Sequence, residues 1–216
     1  MQVLIISLIS LSLLVSCASQ DRVNISPSLQ PTKTILAVGD SLTAGYGLPV
    51  SDSYPSQLET RLREMGYRYS VQNAGVSGDT SAGLLSRMDW LLEWDAPALA
   101  ILCIGGNDAF QWKETRDIEK NIRSIIEKIK AKKIPILLAG MQAPRNLGNE
   151  YGKQYEAIFP RLATEYDLVL MPFLLEWVAL QSALNQADRI HPNREGYTIV
   201  VDNLMKILED EKLIVK

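Results

Sequence analysis

One histidine stands among the 216 residues of this chain, His191, and Asp188 lies three residues before it. A serine hydroxyl is a weak nucleophile at neutral pH. It needs a base within hydrogen-bond reach, and that base needs an orienting carboxylate. With a single imidazole present, His191 is the one possible base for such chemistry. In a turn leading into a helix, the Asp-x-x-His spacing brings the Asp188 carboxylate back to the imidazole Nδ1. A serine in a suitable place follows the first apolar run of the domain, in Gly39-Asp40-Ser41-Leu42. Two further loops are rich in small polar residues: Asn73-Ala74-Gly75-Val76-Ser77-Gly78-Asp79-Thr80 and Gly105-Gly106-Asn107-Asp108. Acyl transfer also needs donors for the developing oxyanion. A backbone N–H beside a glycine can approach closely, and a side-chain amide such as that of Asn107 adds another donor.

Each of these residues also has a plainer reading. Ser41 would suit the cap of a helical turn, and Asn107 would suit satisfaction of loop backbone groups. A lone histidine is more often structural than catalytic, and Gly78 would permit a turn. Taken together, the four loops favour the chemical reading. Asp40 and Asp108 are read as structural, bonding nearby backbone N–H groups, and Asp79 and Thr80 as caps for a helix starting at Ser81.

The elements that must position these loops follow from apolar periodicity. Short apolar runs at 34–38, 69–71, 98–104, 134–139 and 168–170 read as strands. Amphipathic stretches at 54–65, 81–93, 117–130, 151–166 and 194–208 read as helices. The clearest is 117–130, where Ile118, Ile122, Ile125, Ile126 and Ile129 share one helical face. Strands alternating with helices predict an α/β fold: a five-stranded parallel sheet with helices on both faces, in three layers. Active sites of such folds lie at the carboxyl ends of the strands. Three of the four loops leave a strand there.

At these residues the chain resembles the SGNH-hydrolase, or GDSL-esterase, family, named for a Ser, Gly, Asn and His in four blocks. The matching residues are Ser41 in GDSL, Gly78 in SGDTS, Asn107 in GGND and His191 in DRIHPN, over about residues 34 to 208. The stretches GDSLTAGYGLP, NAGVSGDTS, LLAGMQAPRNLG and LNQAD look like the family's bacterial arylesterase and multifunctional thioesterase–lysophospholipase members. The resemblance implies a flavodoxin-like sheet, a nucleophilic Ser41, and an oxyanion hole built from the N–H groups of Ser41 and Gly78 and the amide of Asn107. Two departures stand out. Where relatives often carry glycine inside the Asp-x-x-His segment, this chain has Arg189. Where they often carry Leu-Arg-Gly after Asn-Asp, it has Ala109-Phe110-Gln111-Trp112. Phe110 and Trp112 are either core residues or the wall of an acyl pocket, and Leu147 in the loop after strand four is a further candidate for that wall.

The expected activity is hydrolysis of acyl or aryl esters or thioesters of broad specificity, lysophospholipids included. Two alternatives use the same scaffold: a carbohydrate O-deacetylase, which would favour a shallow polar groove, and a non-catalytic lipoprotein binding module. No cofactor is expected, and the chain has no CxxC, HExxH or histidine cluster for a metal. Net charge is −3 and no stretch is strongly basic, so nucleic acid is not an expected partner; a monomer is expected.

The first twenty residues carry no charge, and Leu4–Val15 is an almost unbroken apolar run, too short for a stable transmembrane helix. Residues 1–16 read as a signal peptide that ends in Leu14-Val15-Ser16-Cys17, which resembles a bacterial lipobox. Cys17 would then be the lipidated first residue, 17–32 a polar tether, and 33–216 the hydrolase domain, exported and held at the periplasmic or cell-envelope side of a membrane. The alternative is an ordinary signal peptide cut a few residues later. Cys103, within an apolar strand, reads as a core residue.

Overall fold

The structure is a computed structural model, which describes residue 31 and residues 33–93 and 97–216. The expected signal peptide and Cys17 lie outside the described residues, as does nearly all of the tether.

Five parallel strands form one sheet in the order β2-β1-β3-β4-β5: β1 Lys33–Gly39, β2 Tyr69–Gly75, β3 Leu99–Cys103, β4 Ile136–Ala139 and β5 Val169–Met171. Every residue of β3 is buried, as a strand covered on both faces requires. Helices α2 (Tyr54–Glu64) and α8 (Arg194–Asp210) pack together. So do α3 (Ser81–Leu91) and α5 (Thr115–Ala131), and α5 also meets α7 (Ile158–Tyr166). Right-handed crossovers explain this division. The chain moves outward from β1 to β2 through α2, then reverses across β1 to β3 through α3. The reversal puts later crossover helices on the opposite face. The outcome is the three-layer α/β architecture. The strand order reverses at β1 and β3, and ligands bind outside the carboxyl ends of strands at such a point.

The five isoleucines of α5 are all fully buried. Each contributes about 2 kcal/mol of gross burial energy, and the helix is thereby fixed against the sheet. At the end of β1 the packing is tighter still. A Cβ at Gly39 would sit 2.3 Å from the carbonyl oxygen of Cys103 and 2.3 Å from Thr43 Oγ1. Only glycine lets β1 close on β3 there while the chain turns into the next helix.

Three differences from the expected elements have local causes. Residues 151–166 form two helices, α6 (Asn149–Glu156) and α7, broken at Ala157. Pro160 has no N–H to give the Glu156 carbonyl, so it is accommodated in the first turn of a new helix. Two one-turn helices, α1 (Ser41–Ala44) and α4 (Gly106–Phe110), begin where β1 and β3 end. Strand β2 extends to Gly75, four residues past the expected end, because it pairs with β1 along its full length, down to Gly39 opposite Gly75.

Candidate active site

Ser41 opens α1. Asp40, the residue before it, is the N-cap: its Oδ1 accepts from Leu42 N at 3.0 Å. That bond holds the turn which lifts the Ser41 hydroxyl off the sheet edge and leaves the first N–H groups of α1 without helical acceptors. Asp40 is buried, and burial pushes its carboxyl up to about 6. The Leu42 N–H and the nearby His191 pull it down, while Asp79 and Asp108 push it up further.

His191 reaches Ser41 from a loop just before α8. Its Nε2 lies 2.9 Å from Ser41 Oγ, and its Nδ1 lies 2.7 Å from Asp188 Oδ2. The other carboxylate oxygen, Oδ1, accepts from the backbone N–H groups of Ile190 at 2.9 Å and His191 at 3.0 Å. Partial burial pushes the Asp188 carboxyl up, but these two donors and the imidazole outweigh it and bring it down to about 2. The loop is stapled at both ends. Asn185 and Pro192 form an antiparallel bridge, and Asn193 caps α8 by accepting from Gly196 N at 2.9 Å. Gln186 Nε2 donates to Tyr46 O at 2.7 Å, tying the histidine loop to the serine loop. The Tyr46 ring packs on the imidazole with centroids 4.8 Å apart. Sequence reasoning misses Tyr46, although it lies five residues past Ser41 in the stretch GDSLTAGYG.

Arg189, in the middle of the Asp-x-x-His turn, has φ 60°. This is the left-handed region, which costs a residue with a Cβ about 1 kcal/mol or more. The turn itself therefore favours glycine, and this chain keeps an arginine there.

The second and third blocks meet behind Ser41. Gly78 has φ 84°, which glycine adopts freely, in the turn between β2 and α3. Asn107 Nδ2 donates to the Asp79 carbonyl at 2.8 Å, which ties α4 to that turn and leaves its second amide hydrogen. The backbone N–H groups of Ser41 and Gly78 donate to no other described residue. Asp108 accepts from Ser81 N and from Ser81 Oγ, both at 2.7 Å, fixing the start of α3. Thr80 caps that helix through Gly83 N, whereas Asp79 pairs with Arg87 Nε at 2.8 Å.

Above Ser41, Gly78, Asn107 and His191 opens a cavity of about 890 Å³ with mainly apolar walls. Phe110, half exposed, lines it. Trp112 and Leu147 do not. Trp112 lies against Tyr151 with ring centroids 5.6 Å apart, and Leu147 is buried in the core, while its neighbour Asn146 lines the cavity. The rest of the apolar wall includes Met141 and Ile190, which lie inside quoted stretches but carry no marked role, and Phe173, Leu175 and Leu180, which no motif marks. Cys103 is buried in β3, and burial pushes its thiol well up, so it stays a core residue. Among the described residues, no cluster of three or more His, Cys, Asp or Glu could hold a metal ion.

The sequence model of the GDSL-like lipase/acylhydrolase family matches residues 37–199. The chain is 36% identical over 177 residues to Esterase TesA of Pseudomonas aeruginosa, covering 82% of this chain and 88% of that protein. It is 36% identical over 176 residues to the Thioesterase 1/protease 1/lysophospholipase L1 of Escherichia coli K12, covering 82% and 83%. Among solved structures, that of AlinE4, an SGNH-hydrolase family esterase, is 43% identical and superposes with a TM-score of 0.72 over 85% of this chain and 98% of that one.

Proposed function

The chain belongs to the GDSL-like lipase/acylhydrolase family and is an ester hydrolase, and from that premise we propose that Ser41, His191 and Asp188 form its catalytic triad. The observation that carries this is the hydrogen-bonded chain from Asp188 through His191 to Ser41, at 2.7 and 2.9 Å, on the floor of an apolar cavity. His191 Nε2 takes the Ser41 proton as Oγ attacks the acyl carbon. The oxyanion lies against the N–H groups of Ser41 and Gly78 and the second amide hydrogen of Asn107. His191 then passes its proton to the leaving oxygen or sulfur, and the acyl group stays on Ser41. Water attacks the acyl-enzyme with His191 again as base, which releases the acid and restores the serine. Asp188 holds the imidazole with Nδ1–H toward the carboxylate and steadies the imidazolium. Every residue involved comes from one chain, so a monomer suffices.

The substrate class is acyl or aryl esters and thioesters, with lysophospholipids among them. The size and apolar walls of the cavity favour an acyl chain over the single methyl of an acetylated sugar. Phe110 supplies the aromatic part of that wall. A panel of p-nitrophenyl esters of rising chain length, an acyl thioester, a lysophospholipid and an acetylated sugar tests this. The wild type should gain in kcat/KM from acetate to medium chains. Phe110→Ala should reduce that gain by about tenfold, since each buried methylene is worth about 0.8 kcal/mol. Trp112→Ala, outside the cavity wall, should leave the profile in place. Fastest turnover on the acetylated sugar would refute the substrate class.

The same reading places the enzyme outside the cytoplasm. Residues 1–16 act as signal peptide, Cys17 carries lipid, and the tether of roughly fifteen residues gives a reach of about 20 Å from a membrane surface. Labelling with a fatty-acid probe should mark the wild type and not Cys17→Ala. Absence of label from both would overturn the anchor.

A further inference from the structure

We propose that Arg189 selects esters and thioesters whose leaving group carries a phosphate or carboxylate. The inference rests on the catalytic reading above and adds a specificity residue to it. Three observations converge. First, Arg189 lines the same cavity as Ser41 and His191, two residues before the base. Second, the other charged groups on that wall are committed. Asp188 is held by His191 and two backbone N–H groups, and Asp40 caps α1 from a buried position. The Arg189 guanidinium makes no hydrogen bond or ion pair with any described residue. Third, the backbone at Arg189 is left-handed, in a turn where glycine would sit without strain. An unpaired, exposed cation thus borders the cavity on a backbone conformation that its own side chain disfavours.

Chemistry then decides which end of the substrate it meets. His191 Nε2 must hand its proton to the departing oxygen or sulfur, so the leaving group lies against the loop that carries His191. The carbonyl oxygen points the other way, toward Gly78 and Asn107. Arg189 belongs to the leaving-group side. Its planar fork of donors matches a phosphate or carboxylate in a two-point contact, and its exposure at the cavity rim leaves those donors open to an incoming anion. Lipid headgroups and thioester carriers both offer this chemistry.

The test compares matched substrate pairs that differ in the anion. 4-Nitrophenyl butyrate is paired with 3-carboxy-4-nitrophenyl butyrate, monopalmitoylglycerol with palmitoyl glycerol-3-phosphate, and S-butyryl-pantetheine with S-butyryl-4′-phosphopantetheine. For each pair the readout is the ratio of kcat/KM, anionic over neutral, so any general effect of a substitution divides out. Arg189→Gln keeps a long polar side chain and the strained backbone but loses the charge. It should lower the ratio by about tenfold, mostly through KM, as expected for a charge-assisted contact. Added salt should lower the wild-type ratio and leave that of the variant nearly flat. Arg189→Gly should lower the ratio equally while raising the thermal midpoint. A fall in the lipid pair alone, or in the thioester pair alone, identifies the source of the anion. Ratios unchanged by Arg189→Gln in all three pairs would overturn the proposal. If wild type hydrolyses no member of any pair, the catalytic reading fails, and the proposal falls with it.

Discussion

Ser41→Ala should lower ester hydrolysis on the order of a thousandfold or more, with the fold intact. Without Oγ there is no acyl-enzyme, and His191 and Asp188 are left with no nucleophile to activate. Residues of such a unit are not additive, so losing the serine alone forfeits most of what the three achieve together. What should survive is stabilisation by the three proposed oxyanion donors, the backbone N–H of residue 41 included, acting on direct attack by water. The cost to stability is small. Ser41 gives one side-chain hydrogen bond, to His191, and the α1 cap belongs to Asp40. The thermal midpoint should therefore shift by no more than a few degrees. Rates on p-nitrophenyl esters and a covalent phosphonate probe read the same event in two ways. Wild type should take one probe molecule per chain and Ser41→Ala none. Turnover within tenfold of wild type, from protein free of contaminating esterase, would remove Ser41 from the mechanism.

The sequence displays those parts of the fold whose pattern is set by one dominant interaction. In α5 the isoleucines repeat with the helix because a single face meets the sheet, and β3 reads as a continuous apolar run because both of its faces are covered. Ser41, Gly78, Asn107 and His191 are legible for a related reason: the backbone close approach and proton transfer proposed for them admit few residue types. The acyl wall is not legible. Its residues between β5 and α8 follow no period, and Leu180 adopts left-handed backbone there, at φ 66°, against its own preference, as does Trp177 outside the wall at φ 67°. The segment is anchored by its buried residues Leu174, Leu175 and Val178, which lie in no strand or helix. Trp112 illustrates the same limit. Two residues from Phe110, it leaves the cavity wall because its backbone turns at φ 54° and its ring finds Tyr151. The one-turn helices α1 and α4 are too short for any periodicity and follow sharp turns, at Gly39 where β1 ends and at Gly105 just past β3.

Asp40 yields a prediction of opposite character, in which stability should rise as function falls. Its carboxyl is almost fully buried, at 2% exposure, and pairs with no cation among the described residues. Burial raises it from 3.8 to about 6, so folding favours the protonated form. Between about pH 4 and 6 the native state holds a proton that the unfolded chain has released. Stability must then fall as pH rises through that window and level off above it. A rise of this size corresponds to roughly 3 kcal/mol. Asp40→Asn keeps an oxygen to accept from Leu42 N and has no charge to desolvate. Urea unfolding of both forms from about pH 4 to 8 should find wild type losing about 3 kcal/mol relative to the variant across the window, with little change above it. A wild type that gains on the variant with rising pH would show a carboxylate stabilised by its surroundings, and the argument would fail. The charge is costly, and the proposed catalytic step gives it a use. In the proposed mechanism His191 becomes positive as Ser41 attacks, and the buried Asp40 carboxylate is close enough to interact with that charge. Asp40→Asn should accordingly turn over esters more slowly at neutral pH while resisting urea better, the trade expected where a costly buried charge serves the transition state rather than the fold.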